Sequence, residues 1–184
     1  EAKNDIEDSN KIAVNTSTMK DEKIDTKKNE NKTTVKDTES KNETKTVTVK
    51  DPEFKMPVEG SIMKEFADNK LVYSNTLDVW TTHSGIDISA DKTTVVKASA
   101  EGTVKSIKND PRYGLTVIIE HTNGYKTVYS NLLSTEFVVE GEKVKQGQSI
   151  GTVGTTSAFE VSDEPHLHFE IIKNNEQLNP ELYI

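Results

Sequence analysis

From Pro52 onward, apolar residues fall in short runs rich in Val, Ile and Tyr, with glycines between them. Runs of this length with a two-residue period predict antiparallel β-strands, and no stretch carries the 3.6-residue period of a long amphipathic helix. The sharpest case is Leu115–His121 (LTVIIEH), followed by Thr122-Asn123-Gly124 and then Tyr125–Leu132 (YKTVYSNL). Asn-Gly supplies the positive φ angles of a tight turn, so these two runs are predicted to form a hairpin. Further strands are predicted at Val95–Ala98, Gly102–Ile107, Ser149–Val153 and His166–Ile172, with Gly102, Gly141, Gly147, Gly151 and Gly154 marking turns. The expected fold class is all-β, built from antiparallel sheet.

Residues 1–50 have another texture. They are Lys, Asn, Thr, Asp and Glu without any Phe, Trp or Tyr, and Ile6, Ile12, Val14, Ile24 and Val35 follow no sustained period. Such a segment buries too little apolar surface to offset its ordering entropy. It is expected to be a disordered polar spacer (1–50) ahead of a domain at 51–184. A partly helical, ion-paired stalk is the competing reading, weakened by the frequent Thr and Asn. Thr44–Lys50 (TKTVTVK) alternates like a strand, so order is expected to begin there.

Charge sharpens this division. The first 50 residues hold 11 Lys against 11 Asp or Glu, so the whole net charge of −8 falls in 51–184, where 12 basic residues face 20 acidic ones. A domain this acidic lacks the basic face that phosphate contacts need, which argues against nucleic-acid binding. There is no cysteine, so disulfides, thiolate metal sites and a cysteine nucleophile are excluded, leaving His and carboxylates as metal ligands. No run reaches the roughly 20 apolar residues of a membrane-spanning helix. The chain opens on Glu1, and an upstream transmembrane anchor is expected to have been removed.

All four histidines lie in the β-rich part: His83, His121, His166 and His168. His83 and Asp87 flank a glycine in His-Ser-Gly-Ile-Asp, where a bent segment would aim both at one ion. His166-Leu167-His168 lies in a predicted strand, whose period puts both imidazoles on one face. Two His and a carboxylate with a spare His are the ingredients of a zinc site with three protein ligands and an open position for water.

The stretch from about Phe54 to Ile184 resembles the lysostaphin-type, LytM-like metallopeptidases of family M23. The resemblance runs through His83-Ser-Gly-Ile-Asp87, Gly102-Thr-Val, Tyr113-Gly114-Leu-Thr-Val-Ile-Ile, His121-Thr-Asn-Gly-Tyr125, Gly141-Glu-Lys-Val-Lys-Gln-Gly147-Gln-Ser-Ile-Gly151 and Pro165-His-Leu-His-Phe-Glu170. It implies a β-sheet LytM domain, Zn2+ as cofactor, His83, Asp87 and His168 as the metal ligands, and His166 as a catalytic histidine.

Two departures stand out. Members with activity carry a second catalytic histidine in Tyr-x-His-Leu, and here the stretch reads Tyr129-Ser130-Asn131-Leu132. An amide at Asn131 orients hydrogen bonds but exchanges no proton near neutral pH. Losing a positioned acid or base costs about 10²- to 10⁴-fold, so the resemblance implies zinc binding with weak or no hydrolysis. Tyr129, two residues earlier, is expected on the same strand face as Asn131, with core packing the favoured role. His121 is read as an ordinary hairpin-end histidine rather than a replacement catalyst. The second departure is Gly154–Pro165, where a glycine-rich approach gives way to Ala158, Phe159, Glu160, Val161, Ser162, Asp163 and Glu164. Each carboxylate there is expected to be solvated.

A long polar spacer, a single C-terminal domain and a weakened catalytic set resemble the stage II sporulation protein Q family of endospore formers. That resemblance implies a membrane-tethered domain facing the space between mother cell and forespore. It also implies a partner like stage III sporulation protein AH and a role in engulfment and an intercompartment channel. Peptidoglycan is the alternative partner, either as the substrate of a zinc endopeptidase or as a wall ligand bound without cleavage.

Overall fold

The computed structural model describes residues 49–184. The spacer expected over 1–50, and the strand expected over Thr44–Lys50, lie outside the described residues except for Val49 and Lys50. Those two are exposed and belong to no strand.

Alternation along one strand organises the rest. In β11 (His166–Lys173), Leu167, Phe169 and Ile171 point to one face and are fully buried, while His166, His168 and Glu170 point to the other. Its neighbours extend both faces. On one side lies β4 (Ile86–Ser89), in the register His168↔Asp87 and Phe169↔Ile86. On the other lies β8 (Tyr125–Ser134), with His168↔Ser130 and Phe169↔Tyr129. The apolar face collects Ile86, Ile88, Tyr129, Leu167, Phe169 and Ile171 into the core. The opposite face collects the chemistry.

The predicted hairpin joins β8 to β7 (Gly114–Glu120) through Thr122–Gly124, where Asn123 and Gly124 adopt φ of 55° and 76°. Beyond β7 come β6 (Gly102–Asp110) and the two-residue β9 (Lys143–Val144). On the far side of β4 lies β1 (Ile62–Lys64). β10 (Ser149–Val153) pairs with β8 and with β5 (Val95–Lys97), and β12 (Glu176–Leu178) pairs with β11. A separate two-stranded sheet holds β2 (Ala67–Ser74) and β3 (Val79–His83). Every pair among the described residues is antiparallel, and helix is limited to two short 3-10 turns, as the all-β expectation requires.

Two expectations need correcting. Gly102 and Gly151 are not turn residues: they lie inside β6 and β10, where a Cβ would meet Glu120 O at 2.4 Å and Ser134 O at 2.6 Å. Close approach of neighbouring backbone is what demands glycine there. Tyr129 and Asn131 do not share a face either. Two residue steps on β7 (Leu115 to Val117) oppose three on β8 (Leu132 back to Tyr129), a bulge that breaks the two-residue period. Asn131 sits in that bulge with φ of 64°. Tyr129 therefore points into the core, where its hydroxyl accepts from Ser99 N–H at 2.8 Å, while Asn131 turns towards His166.

Candidate metal centre

β3 ends at His83, Gly85 makes the bend, and β4 places Asp87 two residues later. A Cβ at Gly85 would meet Phe169 O at 2.4 Å, so only glycine lets this bend pack on β11. β11 brings His168 opposite Asp87. The donor atoms converge: His168 Nδ1 lies 2.8 Å from Asp87 Oδ1, and His83 Nε2 lies 3.2 Å from both. All three residues are buried.

The outer nitrogens set the tautomers. His83 Nδ1 is 2.9 Å from Glu65 O, and His168 Nε2 is 3.1 Å from Glu170 Oε1. Each acceptor fixes an N–H on the outer nitrogen and turns the other nitrogen's lone pair inwards, the usual support for a metal-binding histidine. Glu170 is itself held by Ser84 Oγ at 2.6 Å. Two inward lone pairs and a carboxylate repel one another unless a cation stands between them. A tetrahedral zinc with bonds of about 2.0–2.1 Å separates its ligand atoms by about 3.3 Å, so these donors need to spread by only a few tenths of an ångström. The residues fit the metal. Asp87 Oδ2 is buried without a hydrogen bond, and Lys64 Nζ stands 3.1 Å away as a counter-charge.

Charge in the cluster is strongly acidic. Asp87, Glu160 and Asp163 gather around a single ammonium, Lys64, whose Nζ pairs with Asp163 Oδ2 at 2.7 Å, and Glu170 adds a fourth carboxylate behind His168. Burial disfavours charge on Lys64, but Asp87, Asp163 and Glu160 more than reverse this and raise its pKa. Burial likewise opposes ionisation of Asp87, yet when protons take the place of a metal ion His168 and His83 donate to it and hold its carboxyl well below the usual range. His168 and His166 are both raised despite burial, His168 mainly by Asp87 and Glu170, His166 mainly by Glu160 and Asp87. The site is built to attract positive charge.

His166 lies beside this cluster on the same face, as its spacing from His168 predicts. Its Nδ1 is 2.7 Å from Glu164 O, and its Nε2 is 3.3 Å from both Glu160 Oε2 and the Asn131 amide nitrogen. Asn131 is fully engaged. Its Nδ2 donates to His166 O at 3.0 Å, and its Oδ1 accepts from Thr156 N–H at 2.7 Å and Ser157 N–H at 2.9 Å. The amide acts as a clasp between β11 and the loop after β10. His121 lies elsewhere, its nitrogens held by Glu101 O at 2.6 Å and Thr127 Oγ1 at 2.8 Å, as an ordinary hairpin-end residue.

Glu160 is the residue the sequence reading missed. Its carboxylate was expected in solvent and is instead 6% exposed, with Oε1 3.8 Å from both His83 Nε2 and His168 Nδ1. Glu160 joins His83, Asp87 and His168 in a group of potential ligand atoms all within 4.8 Å of one another. Asp163 is also turned inwards, onto Lys64. Lys64 was not singled out either; a short strand with one lysine carries no chemical signature. Tyr113 stacks on His168 with ring centroids 4.2 Å apart and, with Phe159, Leu77 and Tyr73, lines a groove that leads to His83 and Glu160.

The profile of Peptidase family M23 matches residues 81–180, which contain His83, Asp87, Asn131, Glu160, His166 and His168. The chain belongs to peptidase family M23. It is 41% identical over 120 residues to stage II sporulation protein Q of Bacillus subtilis (strain 168), covering 64% of this chain and 41% of that protein. Against the DD-carboxypeptidase/endopeptidase Mpg of Neisseria meningitidis serogroup B (strain MC58) it is 40% identical over 104 residues, 56% of this chain and 23% of that one. The chain thus spans less than half the length of these curated relatives. Among solved structures, the SpoIIQ-SpoIIIAH pore forming complex matches with a TM-score of 0.63 and 32% identity, over 72% of this chain and 91% of that one. A zinc containing peptidase from Vibrio cholerae matches with a TM-score of 0.60 and 29% identity, over 69% and 39%. The domain is a LytM-like domain similar to that of a sporulation protein.

Proposed function

We propose that this M23 domain works by binding a partner, and that it holds Zn2+ through His83, Asp87 and His168 as a stabilised, weakly hydrolytic or non-hydrolytic site. The observation that carries this reading is Asn131. At the position of the second catalytic histidine, its amide is committed to His166 O and to two backbone N–H groups of the loop, and it has no proton to exchange. A bound zinc would supply Lewis-acid polarisation, but the chain's own proton-transfer set is reduced to His166, which is occupied by Glu160.

The similarity to SpoIIQ, by sequence and in two SpoIIQ-SpoIIIAH complexes, supports a SpoIIIAH-like protein as the partner. On this reading residues 51–184 form the domain, 1–50 are the spacer, and an upstream helix tethers the protein in the forespore membrane facing the intermembrane space. There the pair serves engulfment and an intercompartment channel. Among the described residues no helix is long and apolar enough to cross a membrane. The test is titration calorimetry of the zinc-loaded chain against the extracytoplasmic domain of a SpoIIIAH homologue, with the same preparation assayed on purified peptidoglycan. Saturable binding without release of wall peptides is the expected result. Clear cleavage without partner binding would replace this reading by the zinc endopeptidase, which retention of His83, Asp87, His168 and His166 supports.

A further inference from the structure

We infer that Glu160 is a fourth protein ligand of the metal, so that the site is closed by its own chain. The inference rests on the metal-binding part of the reading above and goes beyond it in assigning the open position to a named side chain.

The first argument is placement. A carboxylate on a loop is normally solvated, yet Glu160 is buried against the two inward-facing histidine nitrogens, at 3.8 Å from each. That is only slightly beyond the roughly 3.3 Å between ligands of a tetrahedral zinc. Nothing else from the loop reaches those nitrogens within ion-pair distance.

The second argument is the division of labour between its two oxygens. Oε2 accepts from Ser157 Oγ at 3.0 Å and faces His166 Nε2 at 3.3 Å, whereas Oε1 points to the donor cluster and has Lys64 Nζ at 3.8 Å. One oxygen anchored by hydrogen bonds and one directed at the cation is the arrangement of a single-oxygen carboxylate ligand with its outer support. The anchor is itself anchored. Ser157 donates its N–H to Asn131 Oδ1, and its one hydroxyl hydrogen is shared between Glu160 Oε2 and Arg112 O, each 3.0 Å away, so the clasp at Asn131 fixes the loop that presents Glu160.

The third argument is charge. With Asp87 and Glu160 as ligands, two carboxylates neutralise a divalent ion, while Lys64 neutralises Asp163 at 2.7 Å and stands 3.1 Å from the outer oxygen of Asp87. Zinc bound by four protein groups is the structural form, and zinc with three protein groups and an open position is the catalytic form. Glu160 moves this site from the second class to the first.

The experiment compares the unaltered chain with Glu160→Gln, which keeps the shape but replaces the anionic oxygen. Zinc affinity is measured by chelator competition, and the visible spectrum is recorded after loading with cobalt(II). Glu160→Gln is expected to weaken zinc binding by about 10- to 100-fold, the scale of a lost supporting carboxylate, and to lower the cobalt absorption as solvent enters the coordination sphere. Equal affinity and an unchanged spectrum would overturn the assignment of Glu160 while leaving metal binding by His83, Asp87 and His168 in place. An unaltered chain that binds neither ion would overturn both readings. Should the variant fail to fold, solvent proton relaxation on the cobalt-loaded unaltered chain decides: no exchangeable water on the ion is expected, and one bound water overturns the proposal.

Discussion

The strands that carry His83, Asp87 and His168 and the loop that carries Glu160 reach the same point by different physics. On β4 and β11 the side chains are aimed by paired backbone, with Asp87 and His168 directly opposite each other in the register. Between Gly154 and Pro165 no strand exists, and the loop is aimed by side chains: Asn131 accepts from the Thr156 and Ser157 N–H groups, and the Ser157 hydroxyl is shared between Glu160 and Arg112 O. A ladder tolerates loss of any one side chain, whereas a clasp of side chains depends on each. The difference teaches that the metal-binding potential belongs to the fold, while the state of the site belongs to a few polar contacts that other sequences on this fold need not share.

The sharpest way to break the comparison is to remove a donor from the strand side. His83→Ala is expected to reduce zinc from near-stoichiometric to trace in elemental analysis of protein purified without chelator, with the β fold retained by circular dichroism. Next comes the apolar face beneath. Phe169 is fully buried against Tyr129, and Phe169→Ala is expected to cost about 3–5 kcal/mol in denaturant unfolding, a loss that zinc does not restore.

On the loop side, Asn131→Ala leaves the Thr156 and Ser157 N–H groups without their acceptor and is expected to cost about 1–3 kcal/mol. Amide hydrogen exchange should speed up in residues 154–165 and stay slow in β11. Asn131→His sharpens the comparison further. If the missing histidine alone limited turnover, peptidoglycan hydrolysis would rise by about 10²- to 10⁴-fold; because Glu160 remains in the site, no such gain is expected until Glu160→Ala is added.

The smallest effect is a pH dependence far from the metal. Burial lowers the pKa of His121 from 6.5, against a weaker opposing hydrogen bond to Glu101 O. The unfolded chain therefore binds a proton that the folded chain refuses, and stability is lost as pH falls from about 6.5 towards the depressed value. His121→Gln should flatten the unfolding free energy over that window while the wild-type curve slopes.

How much of this was legible in the sequence follows from what each element buries. β7, β8 and β11 bury one or both faces, so their alternation and the Asn-Gly turn located them within a residue or two. β2 and β3 were missed because most of their residues are exposed, including Leu71, Tyr73 and Trp80, so no periodic signal marks them. The convergence of His83, Asp87 and His168 followed from motif spacing. Glu160 did not, since its burial depends on Lys64, His166 and Ser157, and nothing periodic links a loop carboxylate to a lysine about a hundred positions away. The bulge at Asn131 was equally silent, because one extra residue in a strand leaves the composition unchanged.

That bulge also bears on descent. Left-handed backbone is a conformation in which Asn, Asp and His are all several-fold enriched, and Asn131 adopts it with both main-chain groups satisfied, its N–H by Tyr113 O and its carbonyl by Gly154 N–H. Asparagine and histidine codons differ by a single base. A lineage can therefore exchange the catalytic histidine for the clasping asparagine at this position by one mutation, in either direction, without remodelling the strand beneath it, while the change of function also waits on Glu160.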